Sequence, residues 1–223
     1  RFDRPGVAAT GLAVPHFGRA DWNEGGLGAT MLDFDADGNL DVYLAASDYP
    51  DNYGYLYRGA GDGTFTEMGA TAGVDHECPS GLAIADLDGD GDEDLVVGSS
   101  RARNCATRWP TNEVHVYRND VGQGGNALSL RLVGATGSNR AAIGARVRVT
   151  AGGRTLRRDV QGGFGLSGIS NDLVLTIGLG DACLADVEVR WPDAAGTIER
   201  YAEVRANYRA EIRQGEGVRY VQR

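Results

Sequence analysis

The sequence predicts an all-β protein, with propeller-blade-like units in its first half and a β-sandwich-like domain in its second. Three observations predict it. An acidic nine-residue pattern, D-x-D-x-D-G-x-x-D, occurs at residues 33–41 and again at 86–94. Each copy runs into an apolar, β-type segment, Val-Tyr-Leu-Ala-Ala at 42–46 and Leu-Val-Val-Gly at 95–98. Beyond residue 126, apolar and polar residues alternate between Gly-rich turns, and no convincing helix period appears.

The acidic pattern outlines a metal cage. Carboxylates at alternate positions, with a glycine that lets the backbone turn, suit a hard cation. Calcium takes six to eight oxygens from side chains and backbone carbonyls. Asp33, Asp35, Asp37 and Asp41, with the carbonyl of Asn39, are the expected ligands of one Ca²⁺. Asp86, Asp88, Asp90 and Asp94, with the carbonyl of Asp92, are those of a second. An EF-hand shares the first six positions, but it needs a Glu at position twelve and flanking helices. Position twelve is Leu44 in one copy and Val97 in the other, both inside strand-like runs. The EF-hand reading fails.

The two loops begin 53 residues apart, which sets the repeat length. In the first unit, Leu27–Leu32 leads into the loop and Leu40–Leu44 leads out. Tyr55–Arg58 follows, then a hairpin turn and last strand over Gly61–Met68. In the second, Gly81–Ala85 enters, Asp94–Gly98 leaves, and Glu113–Asn119 matches the Tyr55 strand. Each unit is read as about four short strands with metal in the first turn. A strand of a preceding unit is expected near Val7–Leu12. After a polar break at Asn119–Asn126, strands are expected around Leu128–Leu132, Ala145–Val149, Leu173–Ile177, Val187–Trp191 and Tyr208–Ile212. The division is therefore 1–122 and 126–215.

The chain has 223 residues, 42% of them hydrophobic, enough for a real core. No run approaches the roughly 18 apolar residues of a membrane span. Residues 1–122 carry 21 acids against 8 arginines, whereas residues 123–223 carry 10 against 14. That balance disfavours nucleic acid, which needs clustered positive charge. It allows attraction between the halves, within one molecule or between two. All 22 basic residues are arginine, which fits a GC-rich, bacterial genome. The chain starts at Arg1 without Met, as expected of a processed or excised segment. Cys78 precedes the first strand of the second unit and Cys105 follows its second strand, so a hairpin there would put both at one end. A disulfide between them would fit an oxidising, calcium-rich compartment. Cys183 is expected to be a small buried residue with a free thiol.

Residues 24–120 closely resemble FG-GAP (or VCBS) repeats. The resemblance is carried by Asp-Phe-Asp-Ala-Asp-Gly-Asn-Leu-Asp, then Leu-Tyr-Arg, then Gly-Asp-Gly-Thr-Phe. It implies calcium-loaded β-propeller blades. Residues 126–215 resemble the ASPIC/UnbV domain of the cartilage acidic protein family, through Ser138–Val147, Gly178-Leu-Gly180 and Val187–Pro192. Asn207 stands where that family has its late Asn. Asp193-Ala-Ala-Gly196 departs from the family's Ser-Gly after Trp-Pro and reads as a lengthened turn.

Catalytic patterns are not apparent. His16, His76 and His115 lack metalloprotease spacing and read as surface or strand residues. Ser167 does not satisfy G-x-S-x-G. Asn139, Arg140 and Arg146 read either as a recognition surface or, preferably, as a turn former and strand braces. The function expected is that of a secreted, non-enzymatic, calcium-binding interaction protein, with a protein or glycan ligand. Two units cannot close a propeller, and open edges invite pairing, so a homo-oligomer or filament is expected. The alternatives are a non-hydrolytic UnbV-type biosynthetic enzyme and a fragment of a larger adhesion propeller.

Overall fold

The structure, a computed structural model, describes residues 3, 5–14, 26, 28–46, 52–99, 111, 113–135, 137–163 and 170–221. His16, Cys105 and Ser167 lie outside the described residues. The protein is all-β, and its described residues form four mostly antiparallel sheets.

The first sheet orders β1 (Gly28–Leu32), β2 (Asp41–Ala45), β3 (Gly54–Gly59) and β4 (Phe65–Glu67) in sequence. The second orders β5 (Pro79–Ala85), β6 (Asp94–Ser99) and β7 (Val114–Tyr117). Equivalent registers frame the acidic loops. Leu32 faces Asp41 across the first hairpin, and Ala85 faces Asp94 across the second. The two sheets share one apolar core, with Leu32, Phe34, Tyr43 and Leu56 from one and Leu82, Ile84, Leu95 and Val97 from the other. Alternation puts these residues on one face, and each large buried side chain stabilises by roughly 1.5–3 kcal/mol.

Four expectations need correction. Residues 7–10 form a one-turn helix, α1 (Val7–Thr10), instead of a strand. Helix-favouring alanines occupy its middle, and Gly11, at φ 77°, closes it with an N–H bond to the Val7 carbonyl. The second unit has three strands among the described residues, not four. His76 is not a surface residue: it is 1% exposed, and its Nδ1 lies 2.8 Å from the Tyr117 hydroxyl. His115 packs against it edge-on at 4.9 Å, a meeting that a separation of 39 positions hid. Cys183 is exposed, in the turn between two strands, although its thiol is free as expected. Cys78 is fully buried and disulfide-bonded.

The second half contains β8 (Asn126–Val133), β9 (Arg146–Ala151), β10 (Arg154–Asp159), β11 (Val174–Gly180), β12 (Leu184–Arg190), β13 (Ile198–Arg205), β14 (Arg209–Arg213) and β15 (Gly217–Val221). They make two four-stranded sheets, β10-β9-β12-β13 and β11-β8-β14-β15. Within the latter, β14 pairs parallel with β8. Leu128, Leu130, Ile177 and Ile212 of one sheet share a core with Val147, Val149, Val187 and Val189 of the other. Trp191 plugs the end of β12, its indole N–H donating to Glu199 at 2.7 Å. Asn139 is a turn former: its side chain exchanges two hydrogen bonds with the backbone of Ile143, at 2.8 and 2.9 Å. Arg146 pairs with Asp159 at 3.4 Å. Asp193–Gly196 is a turn between β12 and β13, in which Asp193 accepts the Thr197 N–H at 2.9 Å.

Candidate metal centre

Each acidic loop joins the first two strands of its sheet, so the pleat and the turn together place its carboxylates. A glycine with positive φ sits at the sixth position of both, Gly38 at 86° and Gly91 at 100°. A side chain there would be strained.

Oxygens of Asp33, Asp35 and Asp37 lie within 4.8 Å of one another in the first loop, and oxygens of Asp86, Asp88 and Asp94 do so in the second. The two clusters are not built from the same positions. Asp41 stands outside the first cluster, and Asp90 outside the second. Asp41 instead frames its loop: it accepts N–H bonds from Phe34 at 3.0 Å and Gly59 at 2.8 Å. Asp94 does the equivalent work with Leu87 and Asn119, both at 2.8 Å, while remaining in the cluster. The ninth position therefore ties the loop to the third strand of its sheet.

Burial makes these charges expensive. It raises the pKa of Asp41 to about 7, against two backbone N–H bonds that lower it. Burial raises Asp92 to about 8, and the neighbouring carboxylates of Asp90 and Asp94 add to the shift. Asp33 is also raised, chiefly by burial. A cation bound by the loop carboxylates would reverse this cost.

The first loop already has partial compensation. Arg58 holds Asp35 and Asp37, the latter at 3.0 Å. From the second half, Arg158 reaches Asp33 at 3.1 Å and the Gly38 carbonyl at 3.3 Å. Gly178 donates its N–H to the same Asp33 oxygen at 2.9 Å. Arg154 donates to the Asp37 carbonyl at 2.9 Å and to Asn39 Oδ1 at 2.6 Å. Gly178 must be glycine, because a β-carbon would come within 2.1 Å of the Ala36 carbonyl oxygen. Asn171 completes the seam by joining Thr30 of β1 to the backbone of Ile84 in β5.

The loops also touch each other. Glu93 accepts the Asp33 N–H at 3.0 Å, and burial pushes its pKa up to about 7. Asn119 donates to the Phe34 carbonyl at 2.7 Å. Sequence reading missed Glu93, Asn119, Arg58, Arg154, Arg158, Asn171 and Gly178. One signal was available for Glu93: the matching position of the first loop is apolar Leu40.

The donor sets fit a divalent ion: three carboxylates converge in each loop, partly out of water, where hard oxygen ligands are what such an ion takes. Two acidic clusters that could hold one are thus present at equivalent turns.

Family models match in the same order as these features. A model of FG-GAP-like repeats matches residues 33–97, and one of the FG-GAP repeat matches 79–117. A model described as ASPIC and UnbV matches residues 135–219. The chain carries FG-GAP repeats followed by an ASPIC and UnbV domain. These are non-catalytic adhesion modules, and the chain is not an enzyme. No curated protein matches it. A solved structure of a candidate cell adhesion protein from Bacteroides uniformis ATCC 8492 is 17% identical over 89% of this chain and 90% of that one, with a TM-score of 0.25. So distant a likeness carries no argument about function. Among the described residues no helix is long and apolar enough to cross a membrane.

Removing Arg158 tests the seam between the FG-GAP repeats and the ASPIC and UnbV domain. Its side chain is 11% exposed and that of Asp33 is fully buried, so Arg158→Ala leaves a buried carboxylate without its cation. The expected cost is about 3–5 kcal/mol of unfolding free energy in calcium-free buffer. Urea unfolding measures it, and a loss below about 1 kcal/mol would place Arg158 outside the compensation scheme.

Proposed function

We propose that this chain is a secreted, bacterial, calcium-stabilised interaction protein of adhesion type. In this reading the FG-GAP units are propeller-blade-like, the ASPIC and UnbV domain is β-sandwich-like, and calcium sits in both acidic loops. The observation that carries it is the pair of carboxylate clusters at equivalent turns, each drawn to within 4.8 Å against its own repulsion. Calcium in these loops stabilises the fold by binding only the native state. A site filled at a hundred times its Kd contributes about 2.7 kcal/mol. For a chain of this size that is roughly 5–10 °C in melting temperature. Chelation in a thermal scan should remove at least that much, and an unchanged Tm would sink the calcium reading.

The cysteines support the compartment. A bridge from Cys78 to Cys105 suits an oxidising, calcium-rich environment. Thiol titration of the denatured, unreduced chain should find one free thiol, that of Cys183; three would end the idea.

The partner surface is the open edge of the second repeat sheet. Among the described residues, strand β7 is at the edge of its sheet, and it presents Val114, 71% exposed, and Val116, 60% exposed. Exposed strand edges with apolar side chains pair readily. The charge match between the halves, by contrast, is engaged within the chain by Arg154 and Arg158. Self-association, as dimer or filament, is therefore assigned to β7 and not to a head-to-tail charge contact. Light scattering with calcium should report species above the 23.6 kDa of one chain, and Val116→Asp should return them to monomer. A wild-type monomer at high concentration would leave the edge for a protein or glycan ligand instead.

A further inference from the structure

Asp92 holds the seventh position of the second loop, where Asn39 stands in the first. Asn39 meets the ASPIC and UnbV domain through the Arg154 guanidinium. Asp92 also faces the chain that enters this domain. It is 2% exposed, and neither of its carboxylate oxygens has a hydrogen-bond partner. It lies against Gly122, where a β-carbon would come within 3.1 Å of Oδ2. Together with Asp90, Gly122, Gly125, Ala127 and Asn207 it lines a cavity of about 310 Å³. An ionised carboxylate buried without a partner costs several kcal/mol. The first loop meets that demand with arginine. Here the nearby Arg118 side chain turns to Asp120, at 2.9 Å.

We propose that Asp92 and Asp90 hold a third divalent cation in this cavity, at the junction of the second repeat and the ASPIC and UnbV domain. This ion is distinct from the one assigned to the Asp86, Asp88 and Asp94 cluster. Two adjacent carboxylates supply the charge, and the cavity has room for the waters that complete an oxygen shell. Asn207 Oδ1 accepts the Ala127 N–H at 3.1 Å and keeps a second lone pair for a water or the ion. The ion would join the second loop to the domain as Arg154 and Arg158 join the first.

The inference rests on the calcium reading of the loops for two other ions but concerns different oxygens, so counting separates the two. Native mass spectrometry of the full chain titrated with calcium alone should find three ions on the wild type and two on Asp92→Asn. The loop ion should survive that change, since asparagine occupies the same position of the first loop. Asp88→Asn should also bind two, and the double variant one. Two ions on both wild type and Asp92→Asn would overturn the third site, Asp92 then being a protonated carboxyl, and leave the loop sites standing. Equal counts for Asp88→Asn and the double variant would overturn it too, because both residues would then serve one ion. No calcium on the wild type would defeat the loop reading and this site together.

Discussion

Compensation of buried carboxylate is the constraint on which the rest of the structure depends. Asp33 opens the first loop with its side chain wholly out of water, and three separate segments of chain answer it. Gly38 donates from within the loop, Arg158 from β10 and Gly178 from β11. The position of the ASPIC and UnbV domain against the repeats is therefore set by charge and hydrogen bonding. Apolar packing stays largely within each half: one core belongs to the repeat sheets and another to the C-terminal pair.

The two loops have the same backbone solution and different electrostatic ones. In both, the ninth residue accepts the N–H of the second residue and an N–H at or just past the end of the third strand. That shared frame explains why the pattern recurs with its strands in phase. The first loop adds three arginines to the frame, Arg58 from its own sheet and Arg154 and Arg158 from the second half. The second carries two further acids, Asp92 and Glu93, and sends Glu93 across to support the first. Duplicated sequence has thus been turned to unequal parts, with one loop bound to its neighbour domain by guanidinium and the other left with surplus negative charge.

Much of this was legible from residues near one another in the chain. The acidic loops, their hairpin setting and the alternating cores all follow from local spacing. What escaped was of two kinds. Strands β10, β13 and β15 present polar or half-exposed side chains, so no apolar alternation marks them. Arg154, Arg158 and Gly178 reach partners more than a hundred positions away, and nothing in Arg154-Thr-Leu-Arg-Arg158 announces an aspartate loop as its target. The polar, Gly-bounded setting of Cys183 in Gly-Asp-Ala-Cys-Leu marks a turn, which is why that thiol faces solvent. For α1, four residues were too few for any period to decide between strand and helix.

The hydrogen bond from Gly178 to Asp33 spans 145 residues of chain, and it has a consequence for biosynthesis. At the usual 5–20 residues per second, the amide that completes the first loop is made roughly 7–30 s after the carboxylate it serves. The parallel pairing of β8 with β14 imposes a similar wait, because a strand beginning at residue 126 needs a partner beginning at residue 209. Throughout that interval the nascent repeats carry their acidic loops without arginine from the second half. Until the second half is made, the countercharge the repeats meet is their own Arg58 together with the ions of the folding compartment, and not the finished interface.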